Sequence, residues 1–237
     1  MALSVLSAIE DIGAAPLAAL GREPVSRQSV HPWHVMHACE QVQQGLAAVE
    51  CQIAVGMRPV LITPEGVFGM GGCSPVEVER AIEPAAKLSL RSAWRDARKW
   101  TRLARAEMTP DLEIFHAHSL PAALAGLRVF PVIVYDAGTL VADTRGLNAV
   151  TLNLLRQAEN FVLTHAACVV VHSLAMRHEV LGRGTHPEDV FLISLSTAAH
   201  ESILGQAYDA VYRHAVARRR KHSRPPMAKL QPIGAAL

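Results

Sequence analysis

The residues best suited to chemistry are two histidines two positions apart, His116 and His118, with Ser119 beside them, and then Asp136 and Ser173. The histidines close an apolar run, Leu112, Ile114 and Phe115, that is too short for a helix. A helical run over 120–127 follows, with Pro121 suited to its first turn. This pattern predicts a buried strand feeding a helix. Residues i and i+2 of a strand point to one face, so His116 and His118 project together. In an open parallel sheet they lie at the carboxyl end, where ligands bind. An imidazole there can hydrogen-bond a hydroxyl or phosphate, or transfer a proton near neutral pH. A strand-end histidine can equally be held by neighbouring loops. Asp136 ends the apolar run 130–135 and is placed either to bind a hydroxyl or to cap the next turn. Ser173 reads first as a helix cap, at a helix N-terminus that could take an anion.

Other groupings carry less. His31, His34 and His37 suggest a metal cluster by eye, but residues i and i+3 of a strand face opposite ways, so His34 and His37 do not share an ion. His165, His172 and His178 fall on different elements. No metal site is therefore expected. The stretch 64–74, with Gly66, Gly69, Gly71 and Gly72, reads as a loop near the cleft; it has neither the dinucleotide fingerprint nor a P-loop lysine. Cys39, Cys51, Cys73 and Cys168 form no C-x-x-C pair and read as reduced thiols.

The elements that must position these residues alternate regularly. Strands are predicted over 33–39, 58–63, 112–118, 130–135, 168–172 and 190–194. Helices are predicted over 41–55, with Val42, Leu46, Val49 and Ile53 at helical spacing, and from 74 to 106, with an inward stripe of Trp94, Ala97, Trp100, Leu103 and Ala104. Further helices cover 120–128, 147–164 and 173–181. A last helix over 198–220 carries the stripe Ile203, Leu204, Ala207, Tyr208, Val211, Tyr212 and Ala215. Six apolar runs separated by helices call for an α/β fold: a Rossmann-like parallel sheet of about six strands with helices on both faces. The last helix packs back on the domain.

Composition agrees with a globular chain. It has 237 residues, 50% hydrophobic and 19% charged, with a formal net charge of +2. That charge is too small for a nucleic-acid binder. The basic excess sits in 213–224, without interleaved aromatic residues, which suits an anionic lipid surface or a solvated helix end better than nucleic acid. Glu10 and Asp11 interrupt the apolar start, so no signal peptide is expected, and no window is apolar enough to span a membrane.

Three stretches carry a family resemblance: LEIFHAHSLPAALAGL over 112–127, FPVIVYDAGTL over 130–140, and AACVVVHSLAMRHEVLGRGTHPEDVFLIS over 166–194. In order and spacing they resemble the N-terminal, acceptor-side domain of family 4 glycosyltransferases, which have the two-domain GT-B fold. The first is similar to the family's D-[IV]-[IV]-H-x-H-S strand, the second to its next strand with an acidic ending. The third is similar to its A-D-x-V-[VI]-x-x-S stretch. The run 207–220 resembles the last helix of full-length members, which crosses back onto the N-terminal domain.

The departures are specific. The family's Gly-Gly loop after the first strand is replaced by Glu40, Gln41, Val42, Gln43 and Gln44. Leu195, Ser196 and Thr197 stand where its P-N-G-V-D hinge falls. The paired glutamates of the donor-binding domain have no counterpart here, and there is no D-x-D.

The resemblance implies a catalytic His118, with substrate contacts from His116, Ser119, Asp136 and Ser173. It implies no resident cofactor, the nucleotide-sugar donor being a substrate. The implied partners are a sugar or glycolipid acceptor, a chain supplying the donor-binding domain, and peripheral membrane contact through 213–224. The expected location is the cytoplasm or the inner face of its membrane. The expected division is an N-terminal extension over 1–30, the acceptor-side domain over 31–197, the crossing-type helix over 198–221 and a basic tail over 222–237. The alternative is a catalytically silent remnant that binds a glycan or a protein. A nicotinamide-dependent enzyme is disfavoured, since the glycine fingerprint is absent.

Overall fold

A computed structural model describes residues 31–40, 42–63, 66–69, 90–141, 147–194 and 201–222. The expected extension over 1–30, most of the 64–89 stretch and the tail beyond 222 lie outside the described residues.

In chain order the elements are β1 (His34–Ala38), α1 (Val42–Ile53), β2 (Arg58–Thr63), β3 (Gly66–Gly69), α2 (Leu90–Ala106), β4 (Ile114–Ala117), α3 (Leu120–Val129), β5 (Ile133–Asp136), α4 (Ala149–His165), β6 (Cys168–Val171), α5 (Leu174–Gly182), β7 (Val190–Leu192) and α6 (Glu201–His222). They form a seven-stranded sheet in the order β3-β2-β1-β4-β5-β6-β7. The six predicted strands make up its parallel part. The seventh strand, β3, falls within the stretch expected to be a loop and pairs antiparallel with β2, Leu61 opposite Phe68. A hairpin needs only a short turn, and Pro64 and Glu65 separate the two strands. After β2 and β3 the chain returns to the other side of β1 to lay down β4. The order therefore reverses between β1 and β4, and their carboxyl ends flank a topological switch point.

Strand alternation sorts the buried residues onto two faces. Met36, Phe115, Tyr135 and Val169 face one way, beneath α2, α3, α4 and α5. Val35, Ile114, Val134 and Val170 face the other way, beneath α1 and α6, against Ala48, Tyr208, Val211 and Tyr212. On the first side α3 is buried from Leu120 to Gly126, and a Cβ at Gly126 would stand 2.5 Å from the Phe115 ring. Only glycine allows that approach. In α2, Ala93, Ala97, Trp100 and Ala104 face the core. Trp94, expected in that stripe, is 42% exposed, and the Arg128 guanidinium lies 5.3 Å from its ring centroid. A shift of one residue puts Ala93, rather than Trp94, at the start of the stripe.

The last helix docks as expected, on the second face. Trp33 Nε1 donates to Asp209 Oδ1 at 2.7 Å and Arg213 Nε to Asp209 Oδ2 at 2.7 Å. Arg218 donates to the Ala166 and Ala167 carbonyls at 3.0 and 2.9 Å and pairs with Asp189 at 2.9 Å. Two members of the basic run are thus turned to intramolecular partners; Arg219 and Arg220 are exposed. Ile203, expected in the apolar stripe, is exposed, as is Ile53 of α1, while Val49 is buried. The side chains of Val42 and Leu46 lie outside the described residues. No described helix is long and apolar enough to cross a membrane.

Candidate functional site

The sheet's second face is apolar at the amino ends of its strands and polar at their carboxyl ends. His37 on β1 stands in register beside His116 on β4. His118 follows β4, Asp136 ends β5 and His172 follows β6. Alternation puts all five side chains on the face covered by α1 and α6. His37 and His116 are fully buried, and Asp136 is nearly so.

One hydrogen-bond chain runs through them. His37 Nε2 lies 3.0 Å from Gln52 Oε1, Gln52 Nε2 donates to the Tyr212 hydroxyl at 2.8 Å, and that hydroxyl lies 2.8 Å from His116 Nδ1. An amide oxygen only accepts, so His37 carries its proton on Nε2 and its Nδ1 is an acceptor. His118 Nε2, 3.0 Å away, then donates to His37 Nδ1. His118 Nδ1 faces Asp136 Oδ2 at 3.3 Å, and His172 Nε2 faces Asp136 Oδ1 at 2.8 Å. His172 Nδ1 donates to the Ile193 carbonyl at 2.7 Å. His118 and His172 each donate from both nitrogens and are imidazolium ions. Tyr212 uses its proton on His116 Nδ1, which leaves the His116 proton on Nε2.

Electrostatics follow the same division. Burial, reinforced by the positive His118, pushes His37 down to about 3. Burial likewise holds His116 well below the usual imidazole range. Burial also opposes charge on His118, but Cys39 and the bonded Asp136 carboxylate outweigh it and push the group up to about 10. His172 is raised against burial by its bond to Asp136. Burial works against the Asp136 carboxylate, yet the two imidazolium partners hold it well below the usual carboxylate range. The edge therefore carries one carboxylate between two cations, with two neutral rings behind them.

Of the expected site residues, His116, His118 and Asp136 come together. Ser119 and Ser173 do not join that network. Ser119 Oγ accepts from Ala122 N at 3.4 Å and Ser173 Oγ from Met176 N at 3.2 Å, capping α3 and α5. Both helix N-termini open at the same edge of the sheet. Sequence reasoning did not weigh Gln52 or Tyr212 as site residues, and it weighed His37 and His172 only within groupings of their sequence neighbours. The readable signal was that β1, β4, β5 and β6 each carry a polar residue at or just past the carboxyl end.

A mainly parallel sheet with a switch point and a polar carboxyl edge defines a Rossmann-like α/β unit. It is similar to a sucrose-phosphate synthase from Thermosynechococcus elongatus, with a TM-score of 0.55 and 13% identity, over 76% of this chain and 97% of that chain. A UDP-N-acetylglucosamine 2-epimerase from Rickettsia bellii matches with a TM-score of 0.45 and 15% identity, over 77% of this chain and 48% of that chain. The chain thus spans about half of that epimerase. No family model and no curated protein matches the chain.

Proposed function

We propose that this chain is the acceptor-side half of a GT-B glycosyltransferase of the family 4 type, acting in glycan or glycolipid synthesis with a donor-binding unit that lies outside these residues. The observation that carries the reading is the set His118, Asp136 and His172 at the carboxyl edge beside the switch point, on the face that the last helix covers. Hydroxyl-rich and phosphorylated ligands suit that edge, because imidazolium N–H groups and a carboxylate satisfy both donors and acceptors. His118 is the residue put forward for catalysis. With both nitrogens protonated it serves as a hydrogen-bond or proton donor, and it becomes a base only after losing a proton. Ser119 and Ser173 border the edge and are put forward, with Asp136, as acceptor contacts; His116, expected there too, is fully buried behind the edge and does not reach an acceptor.

The alternative, a silent remnant that binds a glycan or a protein, is favoured by one observation. The His118 side chain is 4% exposed and both its nitrogens are already engaged. Calorimetric titration with UDP-, GDP- and ADP-sugars tests the division of labour. The half-enzyme reading expects no binding to the chain alone, and hexosyl transfer once a donor-domain chain is added. Tight binding of a nucleotide-sugar to the isolated chain would overturn it. Failure of every donor-domain chain to restore transfer would favour the remnant.

A further inference from the structure

We propose that His37, His116 and His118 form a binding site for one divalent transition-metal ion of the zinc class. The three rings come from the adjacent strands β1 and β4, and one ring nitrogen of each lies within 4.8 Å of those of the other two. His37 Nδ1 and His118 Nε2 are 3.0 Å apart, and two nitrogens on a tetrahedral zinc ion lie roughly 3.3 Å apart, given bonds of about 2.0–2.1 Å.

The second observation is His116 itself. The ring is fully buried, and its Nε2 has no hydrogen-bond partner among the described residues. Its nearest acidic neighbour is Asp136 Oδ2 at 3.9 Å, beyond hydrogen-bonding distance. A native interior rarely leaves such an atom unpaired without a reason. An ion bound between the three rings supplies the missing partner.

The surroundings have the form of a metal site's outer layer. Each ring uses its other nitrogen on a different group: His37 Nε2 on Gln52 Oε1 at 3.0 Å, His116 Nδ1 on the Tyr212 hydroxyl at 2.8 Å, and His118 Nδ1 on Asp136 Oδ2 at 3.3 Å. For His37 and His118 such partners fix which nitrogen faces the ion and raise its basicity; Tyr212 does so for His116 once its hydroxyl accepts from Nδ1. They leave His37 Nδ1, His116 Nε2 and His118 Nε2 as the ligand atoms. Three imidazoles select zinc, cobalt, nickel or copper over magnesium and calcium, which take oxygen ligands. On binding, the ion replaces the proton shared by His118 Nε2 and His37 Nδ1, and His116 Nε2 gives up its hydrogen for its lone pair. The proton lost from His118 passes to solvent, while that of His116 moves to Nδ1 and is donated as a hydrogen bond to the Tyr212 oxygen, whose own hydrogen rotates away from the ring. Asp136 remains the counter-charge.

The test uses the full chain without an affinity tag, stripped with a chelator and titrated with Zn²⁺ against a chromophoric chelator. Co²⁺ serves as a spectroscopic probe. The proposal expects one ion per chain and a tetrahedral Co²⁺ spectrum. It expects a loss of affinity of at least 100-fold in His116→Ala and of about 10- to 100-fold in Gln52→Ala, an outer partner. His165→Ala and His178→Ala, on exposed positions, should bind as the unaltered chain does. If His116→Ala does not fold, nitrogen NMR of the unaltered chain decides: Zn²⁺ must shift one ring nitrogen in each of three histidines and leave the exposed rings in place. No retained Zn²⁺, or binding that follows the exposed histidines instead, would overturn the proposal.

Discussion

His37 Nδ1 and His118 Nε2 meet at 3.0 Å across the junction of β1 and β4. The chain leaves β1 and β4 toward opposite faces of the sheet, α1 on one and α3 on the other, while the strands stay paired to their ends, where the His118 N–H donates to the Ala38 carbonyl at 3.0 Å. A single proton lies between the two rings. It belongs to His118, because Gln52 fixes the His37 proton on the far nitrogen. The switch point is thus built around a positive ring whose counter-ion, Asp136, comes from the next strand.

Two tyrosines of α6 separate structural bonding from mere burial. The Tyr212 hydroxyl accepts from Gln52 and donates to His116, both at 2.8 Å. The Tyr208 hydroxyl is buried without a hydrogen-bond partner among the described residues. Tyr212→Phe should destabilise the chain by about 2 kcal/mol, because two buried groups lose their partner. Tyr208→Phe should change stability by no more than about 0.5 kcal/mol, since the lost hydroxyl was unpaired. Urea unfolding with unchanged slopes measures both. Equal losses would mean that ring packing alone holds α6.

Gly205 sets how closely α6 lies on α1. A Cβ there would fall against the Cys51 carbonyl oxygen and stand 2.7 Å from Val55 Cγ1. A backbone carbonyl in a helix cannot swing aside. Gly205→Ala should therefore destabilise by about 1–3 kcal/mol, beyond the gain of up to about 1 kcal/mol in helix propensity. Gly182, at the end of α5, meets nothing within 4 Å, and Gly182→Ala should be neutral or stabilising. Thermal melts of the pair check the contrast.

Cys168 should be inert until the chain unfolds. Its thiol is fully buried on β6, and burial, with Asp189 nearby, pushes it up to about 12 against the opposing Arg218. At pH 8.5, iodoacetamide should leave Cys168 unmodified in the native chain and modify it in urea, as read by peptide mass spectrometry. The sign of the linkage follows. A folded-state value above the unfolded value of about 8.5 leaves its stabilisation intact below pH 8.5. The stabilisation then falls as pH rises toward 12. Cys168→Ala should flatten that alkaline decline, and an unchanged slope would assign it to other groups.

Much of the fold was legible because apolar runs of strand length alternate with helical periods, and that pattern leaves few architectures open. All six expected strands pair in the parallel sheet. Strand β3 was hidden because its glycines signal a turn more strongly than a short edge strand. The site was legible in part. His116, His118 and Asp136 follow from strand endings, whereas His37 was weighed only against His31 and His34, its neighbours in sequence. Its true neighbours come from β4, and only the pairing register places His37 beside His116. Gln52 and Tyr212 were unreadable for the same reason: helices 160 positions apart bring them within 2.8 Å. Trp94 and Ile203 show the limit of periodicity, which fixes a stripe to within one residue of rotation.

Acceptor binding at the His118–Asp136–His172 edge is tested most directly by a binding screen of the full chain against an immobilised panel of glycans, glycolipids and sugar phosphates. The chain and its His172→Ala and Asp136→Asn variants would be run in parallel. Binding to at least one carbohydrate class is expected, weakened about tenfold or more in both variants, the size expected from losing one charge-assisted hydrogen bond. No carbohydrate binding, or binding that both variants retain unchanged, would contradict acceptor binding at this edge.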